Sequence, residues 1–104
     1  MRVDHIEIVD SPDRPGRVRL TAEVAYADGS AEQYWFEADQ AYRQELTTQG
    51  SPWLACLLPL AMAMKEPLEI GAPVDPVLFE GAQQVVQIWT TWYPQLGLRP
   101  IPLR

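Results

Sequence analysis

The sequence predicts an α+β domain in which an antiparallel β-meander of three strands carries a helical layer on one face, in the order β-β-β-α-α-β-α-β. Three observations lead there. Residues 17–26 alternate without a break, with Val18, Leu20, Ala22, Val24 and Tyr26 on one side and Arg17, Arg19, Thr21, Glu23 and Ala25 on the other. That is the period of a half-buried strand. Residues 52–64 hold no charge and no side chain more polar than a thiol, so a helix built from them is apolar all round and belongs inside the protein. Leu78, Ala82, Val85, Trp89 and Trp92 recur at helical spacing, with Gln83, Gln84, Gln87 and Thr91 pointing away.

A chain of 104 residues fits one domain, 1–104, and can bury a single core without staples. Fourteen acidic against eight basic residues give a net charge of -6, and the footprint of a nucleic-acid binder is missing. The one cysteine, Cys56, rules out a disulfide framework within the chain, which favours a reducing compartment. Charges at Arg2, Asp4 and Glu7 interrupt what a secretory leader would need, and the apolar segment 52–64 gives about 20 Å of helix, short of the roughly 30 Å of a bilayer core. A cytoplasmic protein without membrane partners is expected.

In chain order, Ile6 and Ile8 alternate with Glu7 in a first strand over residues 3–9. Ser11-Pro12-Asp13-Arg14-Pro15-Gly16 is a turn composition, and the long alternating strand follows. Asp28-Gly29 marks a hairpin whose loop length decides which side chains face the core. A two-residue loop would set Glu37 and Gln33 opposite Leu20 and Val24. A three-residue loop, Ala27-Asp28-Gly29, pairs Leu20 with Phe36, Ala22 with Tyr34 and Arg19 with Glu37, and gives Gly29 the left-handed position. The second buries rings and exposes charges, so it is preferred. If Ile8 meets Val18 and Ile6 meets Leu20, Glu7 flanks Arg19 and the outer face carries a Glu7-Arg19-Glu37 row.

Asp39 caps a short helix with Tyr42 and Leu46 on its inner side, and Ser51-Pro52 starts the core helix as N-cap and first-turn proline. Pro59 inside that helix predicts a kink near residues 55–58 or a break. Leu68-Glu69-Ile70 reads as a small strand, Asp75-Pro76 opens the last helix, and Pro94 ends it. Pro100 and Pro102 then stand two apart in an extended tail that cannot pair along one edge.

Candidate chemistry is sparse. His5 is the sole histidine and lacks any ligand spacing, so neither a metal nor a cofactor is expected. Cys56 among leucines reads as an inert core residue. The Glu7-Arg19-Glu37 row can hold a ligand, although exposed cross-strand pairs are ordinarily a solvated sheet face. Asp13-Arg14-Pro15-Gly16 is either a recognition loop or a plain turn. Of four tryptophans, Trp53, Trp89 and Trp92 fall on apolar helical stripes, whereas Trp35 falls on the outer face opposite Thr21. Trp35, with Arg19 and Glu37 beside it, is therefore the candidate contact for a protein partner or for self-association.

The succession Tyr34-Trp35-Phe36-Glu37, Ser51-Pro52-Trp53, Leu57-Leu58-Pro59-Leu60-Ala61-Met62, Leu68-Glu69-Ile70, Pro73-Val74-Asp75-Pro76 and Ile88-Trp89 to Trp92-Tyr93-Pro94 resembles a region that precedes the catalytic domain in some bacterial PP-loop ATP pyrophosphatase-like proteins. Those proteins are relatives of the 7-cyano-7-deazaguanine synthases. The resemblance spans residues 35–96 and implies an accessory domain, either free-standing or cut at the boundary of the nucleotide-binding domain. Such enzymes bind ATP through a Ser-Gly-Gly-Xaa-Asp-Ser loop, and no such string occurs here. Three functions follow in order: a non-catalytic recognition or docking module for a PP-loop enzyme, a stand-alone oligomeric interaction module, and a small enzyme with an unrecognised site.

Overall fold

Strand alternation and apolar helices assemble into two layers in the computed structural model, which describes residues 1–97 and Leu103. β1 (Arg2–Asp10), β2 (Arg17–Ala25) and β3 (Ala31–Asp39) form the meander, followed by a 3₁₀ helix at Gln40–Glu45. Helix α1 (Ser51–Met64), strand β4 (Glu69–Ile70), helix α2 (Pro76–Trp92) and a 3₁₀ turn at Pro94–Leu96 complete the order. The sheet runs β3-β2-β1-β4, with β4 parallel to β1. Its inner face, Val3, Leu20, Ala22 and Val24, packs against Trp53, Leu54, Leu57, Leu58, Ala61 and Met62 of α1 and against Ala82 and Val86 of α2. The expected α+β architecture is present.

The hairpin takes the three-residue-loop register, although Phe36, a ring expected to be buried, stays 44% exposed. Leu20 lies opposite Phe36, Ala22 opposite Tyr34 and Arg19 opposite Glu37. Tyr26 N–H donates to Ser30 O at 2.8 Å across the three-residue loop, and Gly29 sits at φ 89°, where a side chain would be strained. Strand β1 differs from expectation by a shift of two residues. Ile8 meets Leu20, Val9 meets Arg19 and Glu7 meets Thr21, because His5 and Ile6 together oppose Ala22 in a bulge. His5 takes φ 54° there. The predicted Glu7-Arg19-Glu37 row is thereby replaced by Val9-Arg19-Glu37, while Ile8 still faces inward because a shift of two preserves the face.

Helix α1 starts at Ser51 with Gly50 as its cap, and Ser51 Oγ instead accepts from Asp75 N–H at 3.0 Å. Gly50 is required by close approach, since a Cβ there would meet Ile70 at 2.3 Å. Pro59 lies within an unbroken helix, so the expected break does not occur. Ala55, Cys56, Pro59 and Ala63 are exposed, and Leu60 is only half-buried. The apolar helix is not enclosed on every side, because in this two-layer fold no described element lies over the side turned from both sheet and α2. Cys56 is thus a surface thiol rather than a core residue.

Asp75 caps α2 by accepting from Val77 and Leu78 N–H. The polar side Gln83, Gln84, Gln87 and Thr91 is exposed as expected, but so is Trp92. α2 buries only Ala82 and Val86, and its last turn extends beyond that anchorage. Tyr42 is also exposed, since the 3₁₀ helix turns every three residues and takes Tyr42 off the line of Leu46. Pro100 and Pro102 lie outside the described residues. Leu103 forms a parallel bridge with Leu68.

Candidate functional site

β3 is an outer strand of the sheet, so one side of its backbone has no neighbour among the described residues. In an antiparallel ladder, residues alternate between bonding the neighbouring strand and pointing away from it. The bond from Tyr26 to Ser30 O at one end of β3, and that from Gln40 N–H to Gly16 O at the other, place the even-numbered groups toward β2. The N–H and C=O groups of Gln33, Trp35 and Glu37 therefore point outward along a free edge. Side chains follow the same parity: Tyr34 and Phe36 face the helices, while Gln33, Trp35 and Glu37 lie on the outer sheet face.

On the outer face Trp35 stands opposite Thr21 and is 52% exposed. The Arg19 guanidinium carbon lies 4.6 Å from the centre of its ring, a cation-π contact. Arg19 is held in that position from both sides. Its Nε donates to Glu37 Oε1 at 3.0 Å, and its Nη2 donates to Asp13 Oδ2 at 3.3 Å. Glu37 also draws Arg14 to 3.6 Å and Arg17 to 3.7 Å. The Ser11 hydroxyl, and after it the Arg19 guanidinium, hold the Glu37 carboxyl below the usual glutamate range. A hollow of about 240 Å³ opens between Trp35, Arg19, Glu7, Val9 and Pro12. Sequence and structure therefore agree in bringing Trp35, Arg19 and Glu37 together on one face.

The inner side of the same strand borders a larger groove that sequence reasoning missed. It encloses about 470 Å³ between Phe36, Trp53, Cys56, Leu57 and Leu60, and Trp35 reaches its rim. Phe36 is 44% exposed although it faces the helical layer, and its ring centre lies 5.1 Å from that of buried Trp53. An edge strand has a neighbour on one side only, so inward-facing rings there stay half covered. The signal was available in the position of Tyr34-Trp35-Phe36 at the end of the sheet. Next to the groove, the Tyr26 and Tyr34 hydroxyls bond each other, and Tyr26 donates to Glu32 at 2.9 Å. Burial first, then these bonds, push the Tyr26 hydroxyl pKa up.

Chemically these surfaces offer aromatic faces, a guanidinium fixed by carboxylates, and unpaired backbone. Among the described residues no three His, Cys, Asp or Glu side chains converge to hold a metal ion, and no helix is long and apolar enough to cross a membrane. His5 sits exposed at the β1 bulge, whereas Cys56 lies on helix α1. No family model, no curated protein and no solved structure matches the chain.

Proposed function

We propose that this protein is a non-catalytic docking module of the cytoplasm that recognises a protein partner through the outer face at Trp35. The observation that supports the reading is the half-exposed Trp35 ring held against Arg19, which is itself fixed by Glu37 and Asp13. An aromatic anchor whose neighbours are already ordered loses little side-chain entropy on binding, and such anchors dominate interface energetics. The resemblance carried by residues 35–96 favours a PP-loop ATP pyrophosphatase-like enzyme as the partner.

The test is a titration of the purified PP-loop enzyme from the same host with this chain. Trp35→Ala is expected to weaken binding by about 2 kcal/mol or more, while thermal unfolding changes little. The chain alone is expected to release no phosphate or pyrophosphate from ATP. Binding unaffected by Trp35→Ala, or turnover of ATP by the chain alone, would contradict the proposal.

A further inference from the structure

The free edge of β3 has the features of a strand built to pair. Natural edges are blunted by proline, charged side chains (lysine above all), bulges or short length. β3 runs nine residues, Ala31–Asp39, contains neither proline nor lysine, and pairs with β2 without a register shift. It carries charges only at Glu32, Glu37 and Asp39, so any self-pairing must keep these from opposing one another. Beneath it lies the open apolar groove of Phe36, Trp53, Cys56, Leu57 and Leu60. β4, at the other end of the sheet, is only two residues long.

We propose that β3 pairs antiparallel with β3 of a second copy of this chain, about a two-fold axis at Trp35, joining the two sheets into one. The register follows from the side chains. With the axis at Trp35, the midpoint of the strand, all of Ala31–Asp39 is paired. Gln33 then faces Glu37 of the second copy, Tyr34 faces Phe36, Glu32 faces Ala38, and no two like charges are opposed. Moving the axis by one residue sets Glu32 against Phe36 or Trp35 against Glu37. Placing it at Glu37 opposes that carboxylate to its own copy, a destabilising arrangement.

Backbone geometry is compatible with the Trp35 axis. Gln33, Trp35 and Glu37 already point their N–H and C=O groups outward, and pairing them would form about six hydrogen bonds across the axis. On the inner side Tyr34 and Phe36 of the second copy extend the half-covered rings over the groove. On the outer side the two Trp35 rings come side by side with their Arg19 partners, so the proposed docking face is doubled rather than hidden.

Sedimentation velocity on the purified chain tests this without any other protein, so its outcome is independent of the docking proposal. The chain should dimerise with increasing concentration. Gln33→Glu sets a carboxylate opposite Glu37 at two symmetric places and should weaken the dimer by about tenfold, whereas Gln33→Lys should leave it as tight or tighter. Gln33→Pro removes an N–H that serves only the free edge, and should give a monomer with unchanged circular dichroism. A wild-type chain that stays monomeric up to its solubility limit overturns the proposal. So does a dimer that responds equally to Gln33→Glu and Gln33→Lys.

Discussion

Arg19 shows how one side chain can organise a surface: its planar fork reaches Glu37 on one flank and Asp13 on the other, leaving its face for Trp35. Glu66 plays the corresponding role inside. Its carboxylate lies 3.0 Å from the Met1 ammonium, which also donates to Pro67 O at 2.9 Å, and accepts from Ala27 N–H at 2.9 Å, with the Met1 side chain buried. Removing one partner of a buried pair strands the other charge, so Glu66→Gln should lower stability by about 3 kcal/mol in urea unfolding. A loss below about 0.5 kcal/mol would mean that the ammonium finds water instead. The Arg19-Glu37 pairing could be read from the chain because Gly29 and the aromatic alternation of β3 favour the three-residue loop over the two-residue one. The Met1-Glu66 pair could not, since nothing local joins residues so far apart. Cys56 was misread for a related reason. Its apolar sequence neighbours describe the helix, whereas exposure depends on whether another layer covers that side.

At the scale of elements, α1 divides into a buried and an open side. Leu57 is 4% exposed and Leu60 half-buried. Leu57→Ala should therefore cost about 2 to 5 kcal/mol, by lost burial and the cavity left behind, and Leu60→Ala distinctly less. Equal losses in thermal or urea unfolding would contradict this orientation of the helix. The helix itself was legible from thirteen uninterrupted apolar residues after Ser51. Its continuity through Pro59 was not, because the lost hydrogen bond and ring crowding are local costs that packing of Trp53, Leu57, Leu58, Ala61 and Met62 on the sheet outweighs. β1 shows the same limit. Alternation placed Ile8 inward correctly, but the bulge at His5 adds one residue without leaving a glycine or proline to announce it.

For the whole molecule, a sheet covered on one face by two helices has an edge at β3 that is aromatic, proline-free and bordered by an apolar groove. Self-pairing along β3 depends on that edge being structurally ready and, among the described residues, without a backbone partner in the isolated chain. Residue-resolved amide hydrogen exchange, at low and high protein concentration, tests this most directly. The amides of Tyr34 and Phe36, bonded to β2, should be protected at both concentrations. Those of Gln33, Trp35 and Glu37 should exchange rapidly in dilute solution and slow together as the protein is concentrated. If all five are equally protected when dilute, or if the three outward amides stay fast while the chain associates, β3 is not the contact edge.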